Sequence, residues 1–189
     1  TSLIAWTVMI FKYTDLSQLR TQNIAFGHKL EGAKRLQGMR FNLPAAQLGP
    51  YAALSGAALE AAKRSDVPGP EGLRLKVGQI ENALQRAVAN ETIRYESRMV
   101  LLGSIVTSAP FLGLFGTVWG VMDAFGGLAG QSTATIQNLA PGVSGALLTT
   151  VAGLFVAIPS VLGYNFLLAK VRQMITELEN FASALADRL

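Results

Sequence analysis

From Met99 to Ala169 the chain carries a single charged residue, Asp123, so residues 99–122 and 124–169 form two uncharged blocks. Crossing ~30 Å of hydrocarbon takes roughly 20 apolar residues at 1.5 Å each. The first block therefore predicts one span, and the second predicts one span with a connection before it. That connection is the glycine- and hydroxyl-rich "GGLAGQSTATIQN" (126–138), which disfavours regular structure. Pro141 fits the first turn of the helix that follows, where a missing N–H has no consequence. The pattern is a hairpin, with spans at 99 to about 124 and about 140 to 165. A third apolar piece, "TSLIAWTVMIF", precedes Lys12. It is too short to cross and lacks the basic start and cleavage site of a signal peptide, so it reads as the final half of a span that begins upstream.

The segments flanking the blocks have helical periodicity. Residues 71–98 run without proline or a turn cluster into position 99, with Leu73, Val77, Ile80, Leu84, Ala87 and Val88 at helical spacing. After the last span, Val171, Met174, Ile175, Leu178, Phe181, Leu185 and Leu189 recur every three or four residues. "FNLPAAQLGP" (41–50) and "DVPGPEG" (66–72) are breaks between helices. The expected fold is an all-α membrane protein with three transmembrane helices, the first truncated, whose long helices extend into a cytoplasmic helical domain. Its parts are the end of a first span (1–11), a cytoplasmic helical region (12–98), span two (99–124), a periplasmic loop (125–139), span three (140–169) and a cytoplasmic helical tail (170–189).

Charge adds the orientation. All 16 lysines and arginines lie in 12–98 or 170–189 and none in the 124–139 connection. The positive-inside rule then puts those two regions in the cytoplasm. The net charge of +4 is mostly this topological signal. Nucleic acid is not an expected partner, because the cations between 12 and 98 alternate with acids and no aromatic platform accompanies them. The absence of cysteine excludes disulfides, thiolate metal sites and cysteine nucleophiles. No Walker A, G-x-G-x-x-G, H-E-x-x-H or G-x-S-x-G motif occurs, so neither an enzyme, a metal nor a cofactor is expected.

At 100° per residue, Gly103, Thr107, Pro110, Gly113, Thr117, Gly120 and Ala124 share an arc of about 140°, with Phe111, Leu112, Phe115, Trp119 and Met122 opposite. In the next span Gly142, Ala146, Thr150, Gly153, Ala157 and Ser160 share a face. Lipid tails accept any apolar side chain, so this segregation has another cause. Close helix packing is one; a narrow polar lumen is the other.

"APFLGLFGTVWGVMDAF" (109–125) followed by "LAPGVSGALLTTVAGLFVAIPSVLGYN" (139–165) resembles the paired membrane signatures of the MotA/TolQ/ExbB proton-channel family, on its TolQ and ExbB branch. "LIAWTVMIFKY" resembles the end of that family's first span. The resemblance implies a three-span subunit of the bacterial inner membrane, with its N-terminus periplasmic and its C-terminus cytoplasmic. It implies a homo-oligomeric ring, usually a pentamer, set in membrane lipid around a TolR- or ExbD-like single-span partner with an intramembrane aspartate. A TonB- or TolA-like periplasm-spanning protein is a further implied partner. Proton flow would turn ring and partner against each other, driving envelope maintenance, outer-membrane transport or gliding. Carried over by position, Thr117 in GTVWG and Thr150 in ALLTT match the family's lumen threonines, with Thr149 and Ser144 as further hydroxyls of the ion path. Pro110, Gly113, Gly120, Gly142, Gly145, Ala146, Gly153 and Pro159 are the packing or partner-facing positions.

One departure matters. Where the family pattern reads APG-x-x-E-A-L, this chain reads "APGVSGALL", with Gly145 in the place of the glutamate. Hydroxyl and carbonyl oxygens without a fixed carboxylate also suit sodium, which stands as the alternative to the proton. Asp123, at the outer end of its span, is either a solvated interfacial carboxylate or a cation-attracting outer entrance. His28 has no second ligand nearby in the sequence. Trp6, Tyr13 and Tyr164 suit interfacial or packing roles, and Trp119 a wedge between neighbouring subunits. Two other classes stay open: a non-conducting membrane scaffold and a substrate transporter. The second has poor material, since three spans lack an internal repeat or an intramembrane charge.

Overall fold

The structure, a computed structural model, describes residues 2–31, 49–64, 69–128 and 135–188. Most of the two expected breaks (41–48 and 66–68), the middle of the expected periplasmic loop (129–134), Thr1 and Leu189 lie outside the described residues. All regular structure among the described residues is helical: α1 (Ser2–Glu31), α2 (Pro50–Arg64), α3 (Pro70–Glu96), α4 (Met99–Gly126) and α5 (Ile136–Ala186). The stretches Pro70–Gly126 and Ile136–Ala186 are each long and apolar enough to cross a membrane, and only 28% and 17% of their most apolar windows is buried. A core helix of a water-soluble domain would bury such a window, so this exposure needs an apolar surrounding.

The chain divides into two compact units. The first comprises Thr1–Phe11 and Arg98–Leu168, that is the start of α1, all of α4 and most of α5. Along most of α4 and α5 its interior is small: Ala109, Ala146, Ala157 and Ser160 are buried, while Phe111, Phe155, Leu148 and Leu162 are exposed; large side chains are buried only at one end, at Met99, Leu102, Ile105 and Leu167. Gly163 of α5 lies against α1, where an added Cβ would run into the Met9 sulfur, and one on Gly103 would lie 3.4 Å from the Tyr164 ring.

The second unit comprises Lys12–Ser97 and Ala169–Leu189. α2 and α3 pack on one another. Leu16, Leu54, Ile80, Leu84, Val171, Met174, Leu178 and Leu185 form its core. Tyr51 stacks on Phe181 with ring centroids 4.0 Å apart and donates its hydroxyl to the Glu177 carbonyl. Asn23 of α1 is buried and ties three helices together: its amide donates to the Tyr95 hydroxyl of α3 at 3.1 Å, and its carbonyl accepts from the Tyr51 N–H of α2. Burial pushes the Tyr95 hydroxyl up to about 12, so it stays protonated. α2 and α3 both begin at proline after a glycine with positive φ, Gly49 at 108° and Gly69 at 101°. The glycine takes the left-handed turn and the proline presets the first helical φ.

Three details differ from the sequence expectation. Residues 71–98 do not run unbroken into 99: α3 stops at Glu96 and Arg98 is left-handed at φ 66°. The physical reason is a cap from distant sequence. Lys12 Nζ, buried, lies 3.4 Å from both the Arg94 carbonyl and Ser97 Oγ, and 3.6 Å from Asp15. An ammonium at a helix C-terminus satisfies orphan carbonyls and meets the negative end of the helix dipole. Second, Leu73 and Val77 of the α3 stripe are 63% and 44% exposed, since only the later part of that stripe meets a core. Third, α5 starts at Ile136, so Pro141 lies in its second turn. Asn138 N–H bonds the Thr135 carbonyl at 3.1 Å and closes the first turn. Threonine suits an N-cap position, and a proline this early forfeits only the bond to Gln137.

Candidate functional site

Within the first unit the small faces of α4 and α5 meet at backbone distance. A Cβ on Gly153 would lie 2.9 Å from the Ala109 carbonyl and from Gly113 Cα; one on Gly113 would lie 3.1 Å from Thr150 Cα. Further along, Gly120 faces the Ala146 Cβ at 2.8 Å and Gly142 faces that of Ala124 at 2.7 Å. Only glycine permits this approach, and it repeats along both helices. Gly116, which the angular sorting did not single out, belongs to the same seam: its Cβ would meet Thr149 Oγ1 at 2.6 Å.

The close approach gathers oxygens. Thr117 of α4 and Thr150 of α5 join through their hydroxyls. Thr117 Oγ1 also lies 3.1 Å from the Ala146 carbonyl and 3.2 Å from that of Gly113. Thr149 reaches the same two carbonyls, at 2.7 Å and 3.1 Å, and Thr150 reaches Gly113 at 3.2 Å. Three hydroxyls and two carbonyls thus converge at one level. The three O–H donors are all used inside the cluster, whereas each hydroxyl oxygen has two lone pairs. The surplus is of acceptors, so the cluster can receive a proton donor or a cation and has nothing left to offer an anion. Pro110 and Pro159 lie inside α4 and α5, and each removes one helical N–H donor.

Two expected site residues stand apart from the cluster. Ser144 is exposed and makes none of its contacts. Gly145 faces open space, with nothing within 4 Å of where its Cβ would be. That space is an open groove of about 600 Å³ between α4 and α5, walled by Phe115 and Trp119, floored by Gly116, Gly120 and Ala146, and reached by Thr149, Gly145 and Asp123. Asp123 is exposed at the end of α4. Among the described residues no group of acids and histidines could hold a metal ion.

The protein defined by these features is all-helical among its described residues, with two membrane-length helices joined by glycine and threonine around an acceptor-rich cluster. Residues 71–180 match the MotA/TolQ/ExbB proton channel family, and the chain belongs to that family. It is 42% identical over 99 residues to the Tol-Pal system protein TolQ of Haemophilus influenzae, covering 52% of this chain and 43% of TolQ. It is 35% identical over 179 residues to the biopolymer transport protein ExbB of Pseudomonas putida, covering 87% and 49%, and 40% identical over 111 residues to that of Neisseria gonorrhoeae, covering 59% and 49%. The chain spans less than half the length of each of these relatives.

Proposed function

We propose that the chain is a ring-forming subunit of an ion-driven motor in the bacterial inner membrane, coupling proton flow to mechanical work through a single-span partner that carries an intramembrane aspartate. In this reading α4 and α5 cross the membrane, the start of α1 belongs to a third span, and the cation-bearing second unit is cytoplasmic. The observation that carries it is the Thr117, Thr149 and Thr150 cluster, an acceptor-rich oxygen site on helices otherwise free of polar groups at that level. A partner's protonated carboxyl or a water wire is the donor such a site would meet. One charge crossing gains about 2.3 kcal/mol per 100 mV, which is the energy the motor would use. Sodium in place of the proton fits the same oxygens.

A scaffold is the second reading, favoured by one observation: the glycine faces are already satisfied by each other within a single chain. The two separate on Thr117→Val and Thr150→Val. Valine keeps the shape of threonine and loses its hydrogen bonds, worth on average about 0.6 kcal/mol each between membrane helices, too little to disassemble the protein. The motor reading expects each change to abolish ion-driven activity while the native mass of the complex stays the same. Normal activity in both variants would sink it and leave the scaffold.

A further inference from the structure

We propose that the groove between α4 and α5 is a cation vestibule whose charge is supplied by Asp123, doing from α4 what an acidic side chain at position 145 would do from α5. The inference deepens the motor reading and rests on it.

The groove has one ionisable lining residue, Asp123. Its carboxylate makes no hydrogen bond or ion pair within the described chain, and no lysine or arginine occurs between 99 and 169 to neutralise it. Asp123 follows Trp119 by four residues and Gly116 by seven, so it stands on the face of α4 that borders the groove. On the opposite wall, Gly145 leaves unfilled the room that a side chain would take. Thr149 lines the groove, and its hydroxyl proton is committed to the carbonyls of Ala146 and Gly113, at 2.7 and 3.1 Å, so its oxygen can act only as an acceptor there. Phe115 and Trp119, ring centroids 6.0 Å apart, supply aromatic walls, which attract cations and repel anions. Carboxylate, hydroxyl oxygen and aromatic wall line one groove and favour a cation over an anion, and the low-dielectric lining raises its local concentration about tenfold or more. Thr149 belongs both to this groove and to the hydroxyl cluster, so the vestibule opens directly onto the proposed ion path.

The test is ion uptake by liposomes holding the complex isolated, with its partner, from native membranes. Four chains are compared: the unchanged protein, Asp123→Asn, Asp123→Asn with Gly145→Glu, and Thr150→Val. Asp123→Asn is expected to lower uptake about tenfold at unchanged native mass, and adding Gly145→Glu, which enters open space, is expected to restore it. Asp123→Glu, which keeps the charge, should conduct, and it replaces Asp123→Asn in the comparison should that variant not assemble: a silent Asp123→Glu would overturn the proposal. Sodium chloride against choline chloride at fixed pH identifies the cation. Uptake in both salts means a proton carried on water, and uptake only with sodium means sodium. Full uptake by Asp123→Asn while Thr150→Val is dead overturns the vestibule and leaves the motor. Full uptake by both overturns the motor reading as well. Loss in Asp123→Asn without rescue by Gly145→Glu also overturns the proposal, since Asp123 would then act outside the groove.

Discussion

The two units of the chain are packed by opposite rules. In residues 109–163 the helices meet through glycine and alanine, and the large side chains point away: Phe155 is 79% exposed and Phe111 70%. In residues 12–97 and 169–189 the core is made of large side chains, with Leu16, Leu54 and Leu178 fully buried and buried Asn23 holding Tyr95 and Tyr51. Each rule fits one solvent. In water, burying a leucine gains about 25 cal/mol per Å² of apolar surface, so leucine goes inward. In lipid there is no such gain, and the closest backbone approach with shared hydrogen bonds wins instead. The chain passes between the units beside Lys12, Arg98 and Lys170, each placed against an oxygen or a ring: Lys12 on the end of α3, Arg98 over Phe11 at 4.1 Å and Lys170 over Tyr13 at 4.4 Å.

The contrast can be broken at several points, all read as unfolding stability of the detergent-solubilised protein. Leu178→Ala opens a cavity in the water-type core and should cost about 2–5 kcal/mol; a loss below about 1 kcal/mol would mean that this core does not hold the unit together. Gly153→Ala puts a methyl group against the Ala109 carbonyl and the Gly113 backbone and should cost about 1–3 kcal/mol. The same change at Gly145, where nothing lies within 4 Å, should leave stability within about 0.5 kcal/mol. Equal effects at the two glycines would refute the seam. Tyr95→Phe strands the buried Asn23 amide and should cost about 1 kcal/mol or somewhat more.

One further effect is pH-dependent. Burial raises the Glu91 carboxyl above its usual range, against the opposing pull of Arg94 at 3.4 Å. The folded state therefore binds this proton more tightly than the unfolded state does. Stability from this group is present below the unfolded value and declines as pH rises toward the folded one. Glu91→Gln should then stabilise the protein by up to about 1 kcal/mol near pH 8, with the gain fading as the pH falls toward the ordinary carboxylate value. An equal effect at both ends would contradict the burial account.

Much of the contrast was legible in the sequence because it depends on local pattern. A single charge between 99 and 169 marks the apolar helices, and a 100° rotation sorts Gly113, Thr117 and Gly120 onto one side. Contacts between distant segments were not legible. Nothing near Ser97 and Arg98 signals a break, because Lys12, which caps that helix end, comes 85 residues earlier. Gly163 looks like any helical glycine until Met9 is against it. The stripe from Leu73 to Leu84 has one periodicity throughout, yet only its later part has a partner. Gly116 was missed because the seam of two helices is broader than the arc of one, and the groove at Gly145 exists only once both helices are in place.

The most direct test of the motor reading is the native mass of the complex extracted from its own membranes, with any small co-purifying chain sequenced. The account predicts a ring of about five copies enclosing one or two copies of a single-span protein with an aspartate in its span. A bare oligomer with no such partner would contradict it and leave a membrane scaffold.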